Sequence, residues 1–217
     1  MNPCARLNRV CEIMSVFVVL KWVRRIDQAQ STTGYSDLQA LCLAAWKGWG
    51  DGSIVEIGAY KGKSAIALAA GSRMGRKEKV ISIDPHSDGT LPVMEDNLRR
   101  SGLHDMVVVR KTTSADARKD FDGQIRLLFI DGLHDYPSVK QDIGLWKDLV
   151  IDGGLIAFHD YNYPTVRRAV EELTSDPQFI LEGETGCSVF VSKGAARNRQ
   201  VMMSIALFNR LKRAVVR

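Results

Sequence analysis

The chain has 217 residues, of which 30 are Lys or Arg and 25 are Asp or Glu, with a formal charge of +5 and a 45% hydrophobic fraction. These figures suit one globular domain and exclude a disordered, collagen-like or disulfide-rich chain. The positive charge sits at the ends, five basic against two acidic residues over 1–30 and seven against none over 188–217, so the segment between is net acidic and makes a poor phosphate-tracking groove.

A helical appendage is expected over roughly residues 5–30, within an N-terminal segment 1–34. Its most apolar stretch, Val10 to Val23, is interrupted by Glu12 and Lys21. It falls short of the ~20 apolar residues of a membrane span and lacks the small-residue cleavage site of a signal peptide. A domain is expected over 35–192. Within it Ser53 to Ile57 reads as a buried strand, followed by a glycine turn and an Ala-rich helix from Lys63 to Ala70. Val80 to Asp84 is a second strand, Val93 to Arg100 a helix, Met106 to Arg110 a third strand and Ile125 to Asp131 a fourth. Tyr136 to Val150 reads as a helix, Leu155 to His159 as a fifth strand and Pro164 to Leu173 as a helix. Continuous apolar strands imply burial on both faces, and the repeated strand–helix order makes this a doubly wound α/β domain. Phe179 to Leu181 and Ser188 to Val191, with Gly183 and Gly186 between them, are expected to close the sheet edge as an antiparallel hairpin, giving seven strands.

The last segment, 193–217, reads as a basic amphipathic helix with Val201, Ile205, Phe208, Leu211 and Val215 on one stripe. Such a helix lies on an anionic membrane or, the preferred reading, docks on its own chain or a second copy. Cys4, Cys11, Cys42 and Cys187 lack CxxC spacing, which points to reduced thiols in a cytoplasmic protein and away from zinc.

Two stretches carry chemistry. The first runs Val55-Glu56-Ile57-Gly58-Ala59-Tyr60-Lys61-Gly62-Lys63-Ser64 out of a strand and into a helix. Gly58 permits a tight turn, Gly62 a close backbone approach, and the helix N-terminus offers free N–H groups. The second strand ends at Asp84, a position from which an acid takes the two hydroxyls of a ribose. An adenosine-containing cofactor follows. The doubled glycine of GxGxxG is missing, so the cofactor is expected to carry no pyrophosphate, which disfavours a nicotinamide dehydrogenase. Glu56 suits the ammonium of a methionyl group.

This stretch resembles the first motif of class I S-adenosylmethionine-dependent methyltransferases, which have a Rossmann-like sheet, and is particularly similar to that of the catechol O-methyltransferases. The resemblance implies that Glu56, Gly58, Tyr60 and Ser64 line the methionyl end, that Asp84 holds the ribose, and that Ser114 or Asp116 lies near the adenine. Ala59 and Gly62 of the turn, and Asp131, complete the expected cofactor contacts.

The second stretch is Phe129-Ile130-Asp131-Gly132-Leu133-His134-Asp135-Tyr136, with Phe158-His159-Asp160-Tyr161 at the next strand end. A carboxylate delivered to a buried strand tip is costly unless a cation pairs with it. Asp131 and Asp160, with His159, are therefore expected to hold a divalent metal, Mg²⁺ or a transition ion. The two stretches are similar to signatures of the macrolide-sugar O-methyltransferases. His159 stands where those enzymes usually carry Glu, and Tyr161 where catechol methyltransferases have Asn. By the same resemblance His134 is the catalytic base, and an imidazole is suited to accept a hydroxyl proton near neutral pH. The bland alternative for His134 is a loop residue bonded to Asp135 or to backbone. His86 borders the ribose position, His104 reads as a solvated turn residue, and Trp22, Trp46 and Trp49 as aromatic packing or an acceptor pocket. The resulting expectation is an O-methyltransferase acting on a small-molecule or sugar hydroxyl, with no nucleic-acid partner. The competing reading is a non-catalytic cofactor-binding or membrane-peripheral module that works through its basic ends.

Overall fold

Residues 33–76, 78–194, 198 and 201–206 are described in a computed structural model of the chain. In chain order the elements are α1 (Tyr35–Lys47), β1 (Ser53–Ile57), α2 (Lys63–Met74), β2 (Val80–Asp84), α3 (Leu91–Ser101), β3 (Val107–Lys111) and α4 (Ser114–Lys119). There follow β4 (Ile125–Ile130), α5 (Tyr136–Trp146), β5 (Val150–Phe158), α6 (Pro164–Thr174), β6 (Phe179–Thr185) and β7 (Ser188–Lys193). The sheet order is β3-β2-β1-β4-β5-β7-β6. The first five strands run parallel, while β7 pairs antiparallel with both β5 and β6. This is the doubly wound, Rossmann-like, seven-stranded sheet with an antiparallel edge hairpin that the sequence implies.

The apolar strands are buried on both faces for a direct reason. Side chains alternate across a strand, so in β1 Ile54 enters one apolar cluster and Val55 the other. Likewise Phe129 and Leu128 of β4 part to opposite faces. The first cluster is roofed by α1 and α2 through Leu38, Leu41, Ile66 and Leu68. The second is covered by α5 and α6 through Val139, Trp146, Val166 and Val170.

Three local expectations are revised. The helix expected to run to Val150 ends at Trp146, and the chain tightens into a 3₁₀ turn over Lys147–Leu149. Val150 is already the first residue of β5, buried and paired with Ile125. No element was expected over 35–47, yet α1 forms there and is buried from Asp37 to Ala45. Small residues allow it: a Cβ on Gly71 of α2 would collide with the Cys42 carbonyl, so the two helices meet backbone to backbone. The expected appendage over 5–30 lies outside the described residues, as does most of the C-terminal stripe. The described part, 201–206, is helical and sends Val201 and Ile205 into the first cluster, so this portion docks on its own chain. No described helix is long and apolar enough to cross a membrane.

Arg126 is the one charged residue in the otherwise apolar β4, and its guanidinium is fully buried. It donates to the carbonyls of Ala44 and Ala45 in the last turns of α1 and pairs with Glu78. A helix end leaves carbonyls without partners and carries partial negative charge, which a cation satisfies. Arg126→Ala is expected to lower stability by about 3 kcal/mol, because it strands Glu78 and these carbonyls together. The measurement is a urea-unfolding midpoint.

Candidate active site

Ile57 of β1 pairs with Ile83 of β2 and with Ile130 of β4, and Ile130 pairs with Phe158 of β5. Four parallel strands therefore end level with one another. The ladder continues one step beyond: Gly58 donates to the Ile83 carbonyl at 2.9 Å, Asp131 to Ile57 at 2.8 Å and His159 to Ile130 at 3.1 Å. Ligands of open α/β sheets bind at this carboxyl end. Three non-glycine residues adopt left-handed backbone among those described: Tyr60 (φ +46°) after β1, His86 (φ +49°) after β2 and Asp160 (φ +53°) after β5. Backbone strain of this kind concentrates at functional sites, and here all three cases lie at the carboxyl end of the sheet.

The glycine turn is built for contact. Gly58 has φ +85°, and a Cβ there would strike the Asp131 carbonyl. Gly62, at φ +81°, caps α2, and a Cβ on it would meet Met94 Cγ at 2.8 Å, so packing against α3 also requires a glycine there. Asp84 anchors the turn, its Oδ2 accepting the N–H groups of Ala59 and Tyr60, each at 2.9 Å, and its Oδ1 that of His86. A carboxylate has about four acceptor positions, so one remains for a ligand hydroxyl. Glu56 lies beneath the turn with no exposure at all. Ser82 donates to its Oε2, while Oε1 has no hydrogen-bond partner. Burial pushes the Glu56 carboxyl up to about 7, helped by Asp131 and Asp84 and opposed by the Ser64 and Ser82 hydroxyls. A buried acceptor oxygen lacking a donor fits a cofactor that brings an ammonium.

On the other side of Gly58 the two expected acids meet. Donor atoms of Asp131, His134 and Asp160 all lie within 4.8 Å of one another. His134 Nε2 is 2.9 Å from Asp160 Oδ2 and 4.0 Å from Asp131 Oδ1. His159 Nδ1 lies 3.1 Å from both carboxylates and is almost wholly buried. The expected metal set was Asp131, His159 and Asp160; the geometry adds His134 to the two acids and sets His159 as a charge partner bridging them. Burial alone would depress the His159 pKa, but Asp131, Asp160 and Asp37 outweigh it and raise it to about 9. The Asp131 and Asp160 carboxylates also raise His134, against desolvation and the neighbouring His159. His134 is not bonded to Asp135, whose carboxylate instead caps α5 by accepting the Ser138 N–H at 3.0 Å.

Ser114 and Asp116 are separated by the structure. Asp116 is exposed and spent on Thr113 and Lys119 in the first turn of α4. Ser114 faces inward, accepts from Trp146 Nε1 at 2.9 Å and bonds Asp142. His86 is buried with Nδ1 on Thr90, and His104 is a solvated turn residue. Trp46 packs on the first cluster and Trp49 bonds Asn198, both away from the carboxyl ends, while Trp22 lies outside the described residues. The sequence reading missed Ser82, a lone hydroxyl inside an apolar strand, and Asp37. Asp37 is buried in α1 and accepts the Cys187 N–H at 2.9 Å and the Ser188 hydroxyl at 2.7 Å. Tyr161 N–H in turn donates to the Cys187 carbonyl, which ties the β6–β7 turn to the loop carrying Asp160. For Ser82 the signal was a polar residue amid apolar neighbours, whereas Asp37, with Ser36 before it and Gln39 after it, carried none.

The sheet order and the strand-end geometry are those of a Rossmann-like methyltransferase fold. Residues 55–161 match the family described as a methyltransferase domain. An uncharacterised protein of Acanthamoeba polyphaga mimivirus is 30% identical over 142 residues, 59% of this chain; the match covers 62% of that protein's length. Among solved structures, the O-methyltransferase from Bacillus cereus in complex with S-adenosylhomocysteine superposes with a TM-score of 0.61 at 20% identity, covering 83% of this chain and 91% of its own. The O-methyltransferase TomG from Streptomyces achromogenes, involved in tomaymycin synthesis and in complex with S-adenosylmethionine, does so with a TM-score of 0.60 at 17% identity, covering 83% and 90%.

In metal-free protein the His159 imidazole is expected to titrate near 9 by NMR, well above its ordinary 6.5. A raised pKa stabilises the fold fully below about 6.5, and that contribution disappears as pH rises through about 9. Asp131→Asn should bring the midpoint down and flatten this loss in unfolding experiments across the same window.

Proposed function

We propose that the protein transfers a methyl group from S-adenosylmethionine to a hydroxyl of a small molecule or sugar. The observation that carries this reading is His134, an imidazole whose Nε2 lies 2.9 Å from the Asp160 carboxylate at the carboxyl end of the sheet, beside a glycine turn that hides the unpartnered Glu56 oxygen. Glu56 and Ser64 would hold the methionyl ammonium, and Gly58, Ala59, Tyr60 and Gly62 would lay backbone along the cofactor. Asp84 would take the ribose, Ser114 would stand by the adenine, and Asp131 would close the cofactor pocket towards the acceptor. When bound, the cofactor supplies a methyl group on a cationic sulfonium, which four nearby acids favour. With Nε2 turned to Asp160, the His134 Nδ1 is the nitrogen left to take the hydroxyl proton. The level strand ends supply orientation, which accounts for much of the rate in a single in-line displacement. Asp131 and Asp160 offer two carboxylates for a divalent cation such as Mg²⁺ or Mn²⁺, with His159 Nδ1 3.1 Å from both; when bound, such an ion would polarise the acceptor hydroxyl and leave His134 free as the base.

The test is a screen of hydroxyl acceptors that follows S-adenosylhomocysteine release with and without a divalent cation. His134→Ala should lower kcat about 10²–10⁴-fold while leaving S-adenosylhomocysteine binding intact; an unchanged kcat would remove His134 from the reaction.

Cofactor affinity should also depend on pH through Glu56. Its carboxyl, raised to about 7, is neutral below that pH and must ionise to pair with an ammonium. Calorimetric binding of S-adenosylhomocysteine is therefore expected to tighten as pH rises through about 7 and then level off. Glu56→Gln should bind weakly, with no such dependence.

A further inference from the structure

The loop after β5 and the first turn of α6 close on His134 from three directions. Asp160 Oδ2 lies 2.9 Å from its Nε2. The Thr165 hydroxyl donates to its backbone carbonyl at 2.6 Å. The Tyr163 ring stacks on its imidazole, with centroids 5.2 Å apart and planes within 21°. Tyr163 is itself fixed, because it caps α6 and its N–H donates to the Asp160 carbonyl at 2.8 Å. One short segment therefore sets the partner of the imidazole edge, the backbone beneath it and the plane of its ring.

The ring needs this. His134 sits on a loop and its side chain is 41% exposed, so packing from its own loop does not select a rotamer. An ion-pair contact at Nε2 fixes one point and leaves the ring free to swing about it. A flat partner against the imidazole face removes that freedom, and aromatic pairs of this kind are worth about 0.5–1.5 kcal/mol beyond their buried area. A base displaced by about 1 Å loses on the order of 100-fold in rate.

We propose that Tyr163 is a positioning residue for the transfer: its ring holds the His134 imidazole in the plane from which Nδ1 meets the acceptor hydroxyl. This rests on the reading of His134 as the base. The ring does the work through its stack on the imidazole, and Tyr163 as a whole is 46% exposed. Tyr163→Phe keeps the stack and should therefore keep function.

The test combines kinetics with NMR on the full chain. Tyr163→Ala is expected to lower kcat ten- to a hundred-fold, to leave the S-adenosylhomocysteine dissociation constant within twofold, and to be rescued by Tyr163→Phe. In a His134→Ala background the same change should have no further effect. The His134 ring protons should carry an upfield ring-current shift in the wild type and in Tyr163→Phe, and lose it in Tyr163→Ala. An absent shift in the wild type, a Tyr163→Phe as slow as Tyr163→Ala, or a full loss persisting without His134 would each overturn the positioning role. If wild type and Tyr163→Ala methylate an acceptor equally, that role falls alone. If the shift is present but no acceptor is methylated by the wild type, the reading of the reaction falls and takes the role with it.

Discussion

At the carboxyl end of the sheet the Asp131 N–H reaches the Ile57 carbonyl, and Gly58 has no side chain to hold the two turns apart. That contact sets the distance between the glycine turn and the acidic strand tip. Because Ile83, Ile57, Ile130 and Phe158 lie in one register, the residues after them emerge side by side. A bulkier residue at 58 would part the two turns, and a slip of one residue in β4 would turn every one of its side chains to the opposite face. The site depends on backbone geometry before any side chain contributes.

What the side chains add is a concentration of negative charge held in check. Glu56, Asp84, Asp131, Asp160 and Asp37 occupy one end of a small domain, and each is balanced differently. Asp84 is absorbed by backbone N–H groups and Asp37 by the β6–β7 turn, while Glu56 keeps a proton up to about 7. Asp131 and Asp160 share two imidazoles. A cluster of acids arranged in this way favours cationic groups. The chain's +5 belongs to its two ends and says nothing about this end of the sheet.

Several elements were legible because their signal is local. Ser53–Ile57 and Val80–Asp84 form strands over the same residues that their apolar runs mark out, and the Gly58–Ser64 turn announces itself by glycine spacing. α1 was not legible, since its fit to α2 depends on Gly71, some thirty residues away and in another element. The sequence set Asp131 and Asp160 at adjacent strand tips but could not rank the histidines beside them. Only the bend after β5, with Asp160 in left-handed backbone, turns its carboxylate towards His134.

The sequence alone determined the alternation of buried strands and helices, the glycine turn, and the acids at the strand ends, because hydrophobic periodicity and backbone demands act over a few residues. The tertiary structure decided which groups meet. Asp37 finds Cys187 and Ser188 about 150 positions later, His134 finds Asp160 and Tyr163 in the next loop, and Ser114 rather than Asp116 faces inward. Such pairings depend on how a parallel sheet brings distant strand ends to one level, and no local pattern in the chain encodes that distance.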